Sequence, residues 1–222
     1  MLRILLCQRT ATAGLALFAV LAVVIAALAG TTGPAGADPG RLRFDRYPTV
    51  ESLARVVPAL ERGERDFEGD IGFSGTVERC RDDEPARSVW VQQELRATYD
   101  PPNGTGRFPV VGLTIDRFGS AARAGRWFDL NAAYVQRCTG RHSDDYWTEV
   151  VHPFAAGIDG RALAFRSETW SHVEGGRHVH AGTVVMKRGR DVLSAEIVFR
   201  TRDVRAPLVR AVARAFERSA SR

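Results

Sequence analysis

"RALAFRSETWSHVEGGRHVHAGTVVMKRGRDVLSAEIVF", residues 161–199, holds three runs of alternating or β-branched residues parted by Glu174-Gly175-Gly176-Arg177 and Arg188-Gly189-Arg190. Gly-rich separators of that length between strand-like runs read as hairpin turns. Upstream, "DYWTEVVHPF" (145–154) has the same character and is joined to the first run through Gly157-Ile158-Asp159-Gly160. The four runs form an antiparallel meander, and that settles the fold class.

Working outward, "ARSVWVQQELRATYD" (86–100) alternates, with Val89, Val91, Leu95, Ala97 and Tyr99 on one side and Trp90, Gln92, Glu94, Arg96 and Thr98 on the other. "RFPVVGLTIDRF" (107–118) follows the turn at Pro101–Gly104, so the two make a further hairpin. Between hairpin and meander, Ser120 caps a helix whose apolar stripe is Ala121, Ala124, Phe128, Ala132, Val135 and Cys138, widened by Trp127, Leu130 and Tyr134. A closing helix, "VRAPLVRAVARAFERS" (204–219), puts Val204, Leu208, Val212 and Phe216 in one row. An opening helix starts at Thr49 and meets Pro58, which kinks or splits it. A short strand is expected near Gly75–Arg79. The whole is an α+β domain: a twisted antiparallel sheet with helices packed on one face.

The N-terminus sets the compartment. Arg3 and Arg9 precede an apolar run from Ala11 to Gly30, and "TTGPAGADPG" then places Ala35-Gly36-Ala37 before Asp38. This is the order of a secretory signal over residues 1–37, cleaved to leave a single domain at 38–222. The rival is an uncleaved membrane anchor, since about 20 apolar residues span a bilayer. Cys7 leaves with the leader, so Cys80 and Cys138 remain as an even pair in an oxidising compartment, where a disulfide is the default. It would close a loop of about 58 residues and constrain the unfolded chain by roughly 4 kcal/mol.

The formal charge of +5 falls to about +3 without the leader arginines and is interleaved with acids, which excludes a nucleic-acid surface. Lys187 is the one lysine among 31 basic residues, an Arg bias that GC-rich codons explain.

Catalytic motifs are missing. "GFSGT" (72–76) lacks the second glycine of a nucleophile elbow, Asp82-Asp83-Glu84 and Asp144-Asp145 read as solvated loop acids, and no glycine loop suits a phosphate or cofactor. Asn103-Gly104-Thr105 matches a glycosylation acceptor but reads as a loop. His178 and His180, two apart on a strand, project from one face as metal ligands do. A two-residue Gly-Gly turn would pair His172 with Val179, on the opposite face, so a third ligand must come from elsewhere, such as Glu168 or Asp144. The alternative is a half-buried sheet face with no metal. Trp90, Arg96 and Trp170 are the candidate ligand contacts.

"FGSAARAGRWFDLNAAYVQRCTGR" (118–141), with Tyr134 and Cys138 closing the helix, and "DVLSAEIVFRTRDVRAPLVRAVARAFE" (191–217) resemble the central helix and the last strand and helix of a known family. It is the extracellular sensor-domain family of actinobacterial receptor serine/threonine kinases and of related stand-alone exported lipoproteins. The resemblance covers about residues 80–220 and implies an α+β fold with a cleft, a bound ligand and no catalysis. The family's second disulfide has no cysteines here. The expectation is therefore a secreted or cell-envelope domain that binds a small molecule, a lipid or an envelope protein. Its contact with a membrane would be through an uncleaved N-terminus. An exported hydrolase or metal-dependent enzyme built on His178, His180 and an acid is the alternative, and a purely structural envelope protein the second.

Overall fold

The computed structural model describes residues 41–67, 91–102, 108–143, 145–172, 178–200 and 202–222. The leader, Gly72–Thr76, the strand expected near Gly75–Arg79, Cys80, the acids at 82–84, Trp90, Asn103 and Asp144 lie outside them.

Eight strands form one antiparallel sheet in the order β1-β2-β3-β8-β7-β6-β5-β4. They are β1 (Glu64–Asp66), β2 (Val91–Asp100), β3 (Val110–Phe118), β4 (Gly140–Ser143), β5 (Trp147–Pro153), β6 (Ala162–Ser171), β7 (His178–Arg188) and β8 (Asp191–Phe199). The expected hairpin is β2–β3 and the expected meander is β5 to β8. Pairing of β3 with β8 fuses the two into one sheet. The short strands β1 and β4 close its edges, which limits the unpaired backbone left at each side.

The opening helix is split as Pro58 dictates: α1 covers Val50–Ala54, and a single 3-10 turn follows at Pro58–Leu60. Thr49 caps α1, its side chain accepting from the Ser52 backbone N–H. Ser120 caps α2 (Ala121–Arg137) in the same way, accepting from Arg123. The long closing helix is α3 (Ala206–Ala220), entered through Pro207 in its first turn, where a missing N–H costs nothing.

The sequence places the helices on one face; the two large ones lie on opposite faces. Alternation along β7 and β8 explains why both are wanted. Val184, Met186, Leu193, Ala195 and Ile197 enter one core with Val209, Val212 and Phe216 of α3 and Leu53 of α1. Val185 and Val192, pointing the other way, pack with Ala124, Trp127 and Phe128 of α2. Central strands apolar on both sides demand cover on both sides. The α2 stripe is also rotated from the expected one: Asn131 is buried and Leu130 is 45% exposed.

Gly182 sets how closely α3 approaches. A Cβ there would lie 2.5 Å from a Val209 methyl and 2.7 Å from a Val204 methyl. Any side chain on β7 at this point would push the helix off the sheet. At the far end of α3, Arg46 donates to the Ala220 carbonyl at 2.7 and 3.0 Å and to Asp191 Oδ2 at 2.7 Å. Arg117 donates to both oxygens of that carboxylate, Nε to Oδ1 at 2.7 Å and Nη2 to Oδ2 at 2.8 Å. The knot ties the N-terminal segment, β3, the β7–β8 hairpin and α3 together.

Candidate functional site

Val204, just before α3, and Val209 of α3 meet the sheet at Gly182; beyond them on the same face, toward the start of β7 and the end of β6, the described side chains are half-exposed. Register decides which side chains stand there. Glu168 pairs with His180 and Trp170 with His178, so all four share one face. Their side chains converge: His178 Nε2 lies 2.7 Å from Glu168 Oε1, and the two imidazoles are 4.5 Å apart between centroids. One ligand atom from each of Glu168, His178 and His180 falls within 4.8 Å of the others.

Two residues support the trio from outside it. Asp203, on the connection that enters α3, places Oδ1 3.1 Å from His180 Nδ1. Trp170 meets His178 edge-on at 5.9 Å. Burial is graded across the cluster: the His180 side chain is 11% exposed, Glu168 40% and His178 49%. The inner histidine is fixed by protein and the outer pair faces water.

On the neighbouring strands Arg141 of β4 and Thr148 of β5 belong to the same face, through Arg141–Val150–Glu168 and Thr148–Trp170 register. The Arg141 guanidinium sits 5.1 Å from the Trp170 ring centroid. Thr148 Oγ1 is 2.8 Å from His172 Nε2 and also bonds Ser143. That hydroxyl–imidazole pair is no nucleophile and base, because Thr148 is fully buried and nothing can reach its oxygen.

The turn reading of His172 is corrected here. Val179 pairs with Thr169, not with His172, and His172 bonds to Thr148 on the Trp170 face. Burial sets the register: Ala164 and Val184 must meet on the α3 face and Leu163 and Val185 on the α2 face, and that outweighs turn composition.

The sequence candidates therefore divide. Trp170, His178 and His180 come together with Glu168, one of the acids named for the purpose. Arg96 stands on the opposite face, ion-paired with Glu94, and cannot share a site with Trp170. Arg141 and Asp203 carried no sequence signal, since both depend on long-range pairing and on the path into α3. His142 is occupied elsewhere, its Nε2 donating to the Cys138 carbonyl at 2.9 Å.

Cys138 caps the C-terminus of α2, is fully buried and is disulfide-bonded. Cys80, the partner expected from the sequence, lies outside the described residues. Among the described residues no helix is long and apolar enough to cross a membrane.

No family model matches the chain, and no curated protein matches it. Among solved structures, the extracellular domain of PknH from Mycobacterium tuberculosis superposes with a TM-score of 0.49 at 11% identity, over 80% of this chain and 100% of that one. A likeness of that degree carries no argument about what this chain binds.

Proposed function

We propose that the chain is an extracytoplasmic binding domain without catalysis, exported through residues 1–37, that holds its ligand at the uncovered end of the sheet around Trp170. The observation that carries this reading is the placement of Trp170: a partly exposed indole on a rigid strand, with Arg141 across its face and His178 at its edge. An aromatic plate flanked by a cation and an imidazole suits a flat or anionic group on a small molecule, a lipid or an envelope protein. The disulfide at Cys138 and the leader pattern favour an oxidising compartment, with Cys80 as the partner cysteine.

The test is native mass spectrometry of the protein purified from its own host. A retained mass that disappears in a folded Trp170→Ala variant is the expected result. Retention of the same mass by Trp170→Ala would place the ligand elsewhere. Thiol titration of the unfolded, unreduced protein checks the compartment: free thiol at both Cys80 and Cys138 contradicts export to an oxidising space.

A further inference from the structure

Resting on the reading that this end of the sheet is the ligand site, we infer that Glu168, His178 and His180 form a site for a divalent transition-metal ion of the zinc class, with Asp203 as its positioning residue. Two imidazoles and one carboxylate are a donor set that zinc, copper and nickel take, and that calcium and magnesium, which want oxygen alone, do not. The scaffold is rigid in the sense that matters. Glu168 and His180 are directly paired across β6 and β7, and His178 is two residues along the same strand, so the three ligands hang from hydrogen-bonded backbone rather than from loops.

The distances fit closure by side-chain rotation alone. Ligand atoms around a tetrahedral zinc, each about 2.0–2.2 Å from the metal, lie about 3.4 Å from one another. The three here lie within 4.8 Å, and the closest pair, His178 and Glu168, already touch at 2.7 Å. An ion replaces that hydrogen bond by sitting between the two groups.

Asp203 supplies what such a site needs behind it. Its carboxylate, 3.1 Å from His180 Nδ1, accepts a proton held on that nitrogen and leaves the Nε2 lone pair for the metal, the carboxylate–histidine–metal arrangement that fixes tautomer and ring orientation. The half exposure of His178 and Glu168 leaves the fourth position to water or to a ligand atom resting against Trp170.

The experiment is calorimetric titration of the untagged, chelator-treated protein with Zn²⁺, with Mg²⁺ and Ca²⁺ as controls, joined to the visible absorption of the Co²⁺ form. Expected are one Zn²⁺ per chain, no Mg²⁺ or Ca²⁺ binding, a four-coordinate Co²⁺ spectrum, and near-complete loss in His178→Ala/His180→Ala. Asp203→Asn should weaken Zn²⁺ by about 10- to 100-fold while keeping the stoichiometry. Zn²⁺ binding unchanged in the double variant overturns the assignment, as does competition by Mg²⁺. Loss of the metal assignment leaves the Trp170 reading standing if the host-derived protein still carries a Trp170-dependent organic mass. Absence of both removes both.

Discussion

The knot at Asp191 gives the sharpest stability prediction. Asp191→Asn keeps the size of the side chain and removes its charge, leaving Arg46 and Arg117 facing an amide. Three charge-assisted bonds, at 2.7, 2.7 and 2.8 Å, are affected. Asp191 is 8% exposed in its side chain, and Arg117 and Arg46 are 12% and 22% exposed. Removing one partner of a fully buried pair costs about 3–5 kcal/mol, and the residual hydration of the two arginines argues for the lower end, about 3 kcal/mol. In a domain of this size that corresponds to a fall of about 6–12 °C in Tm. Burial pushes the Asp191 carboxyl up, but the bonds from Arg117 and Arg46 outweigh it and hold the group below the ordinary aspartate value. The stabilisation is therefore present in full above the unfolded value, near pH 4, and is lost as pH falls through the folded one. Urea unfolding followed by circular dichroism at pH 6.5 and at pH 3 reads both effects. A variant within about 0.5 kcal/mol of wild type at pH 6.5, the range of an ordinary surface change, would refute the reasoning. So would a gap that does not narrow on acidification.

Gly182→Ala should destabilise by about 1–2 kcal/mol, the overpacking against Val204 and Val209 exceeding the gain from a less flexible unfolded chain; urea midpoints measure it, and a stabilised variant would mean that α3 can retreat freely. Tyr99→Phe removes a hydroxyl that donates to the Pro48 carbonyl at 2.7 Å and should cost about 1–2 kcal/mol by the same assay. Burial pushes the Tyr47 and Tyr99 phenols up, so both favour the fold below pH about 10 and that contribution is lost as pH rises past it. An alkaline difference spectrum should show these two rings ionising only as the protein unfolds. Reduction should lower stability by about 4 kcal/mol if Cys138 closes its loop with Cys80, which calorimetric scans with and without reductant compare.

The strands of the meander and both long helices were legible because each signal is local: a period of two between Gly-rich turns, and a period near 3.6 between Ser120 and Cys138. Pairing of β3 with β8 leaves no local mark, since it joins residues about 80 apart with no connecting turn to announce it. The same limit made the helices look one-sided. A stripe on a helix says that it is covered but not by which face of a sheet, and Val184-Val185 or Val192-Leu193 read as strand without revealing two cores.

Histidine spacing was readable, because i and i+2 share a face in any strand. Whether Glu168 joins them was not, for a reason that can be stated in residues. In the pairing implied by a two-residue Gly175-Gly176 turn, partners on β6 and β7 have numbers summing to 351, so an even residue faces an odd one and Glu168 lies opposite Thr183, on the wrong face. In the observed pairing Glu168 faces His180 and Trp170 faces His178, a displacement of three residues. An odd displacement carries every side chain of one strand to the other face relative to its neighbour. The chemistry at this end of the sheet thus depends on the parity of one hairpin register. That parity is enforced some distance away, where Ala164 and Val184 meet under α3, and shifting it by a single residue would separate Glu168 from both histidines without changing any of the three.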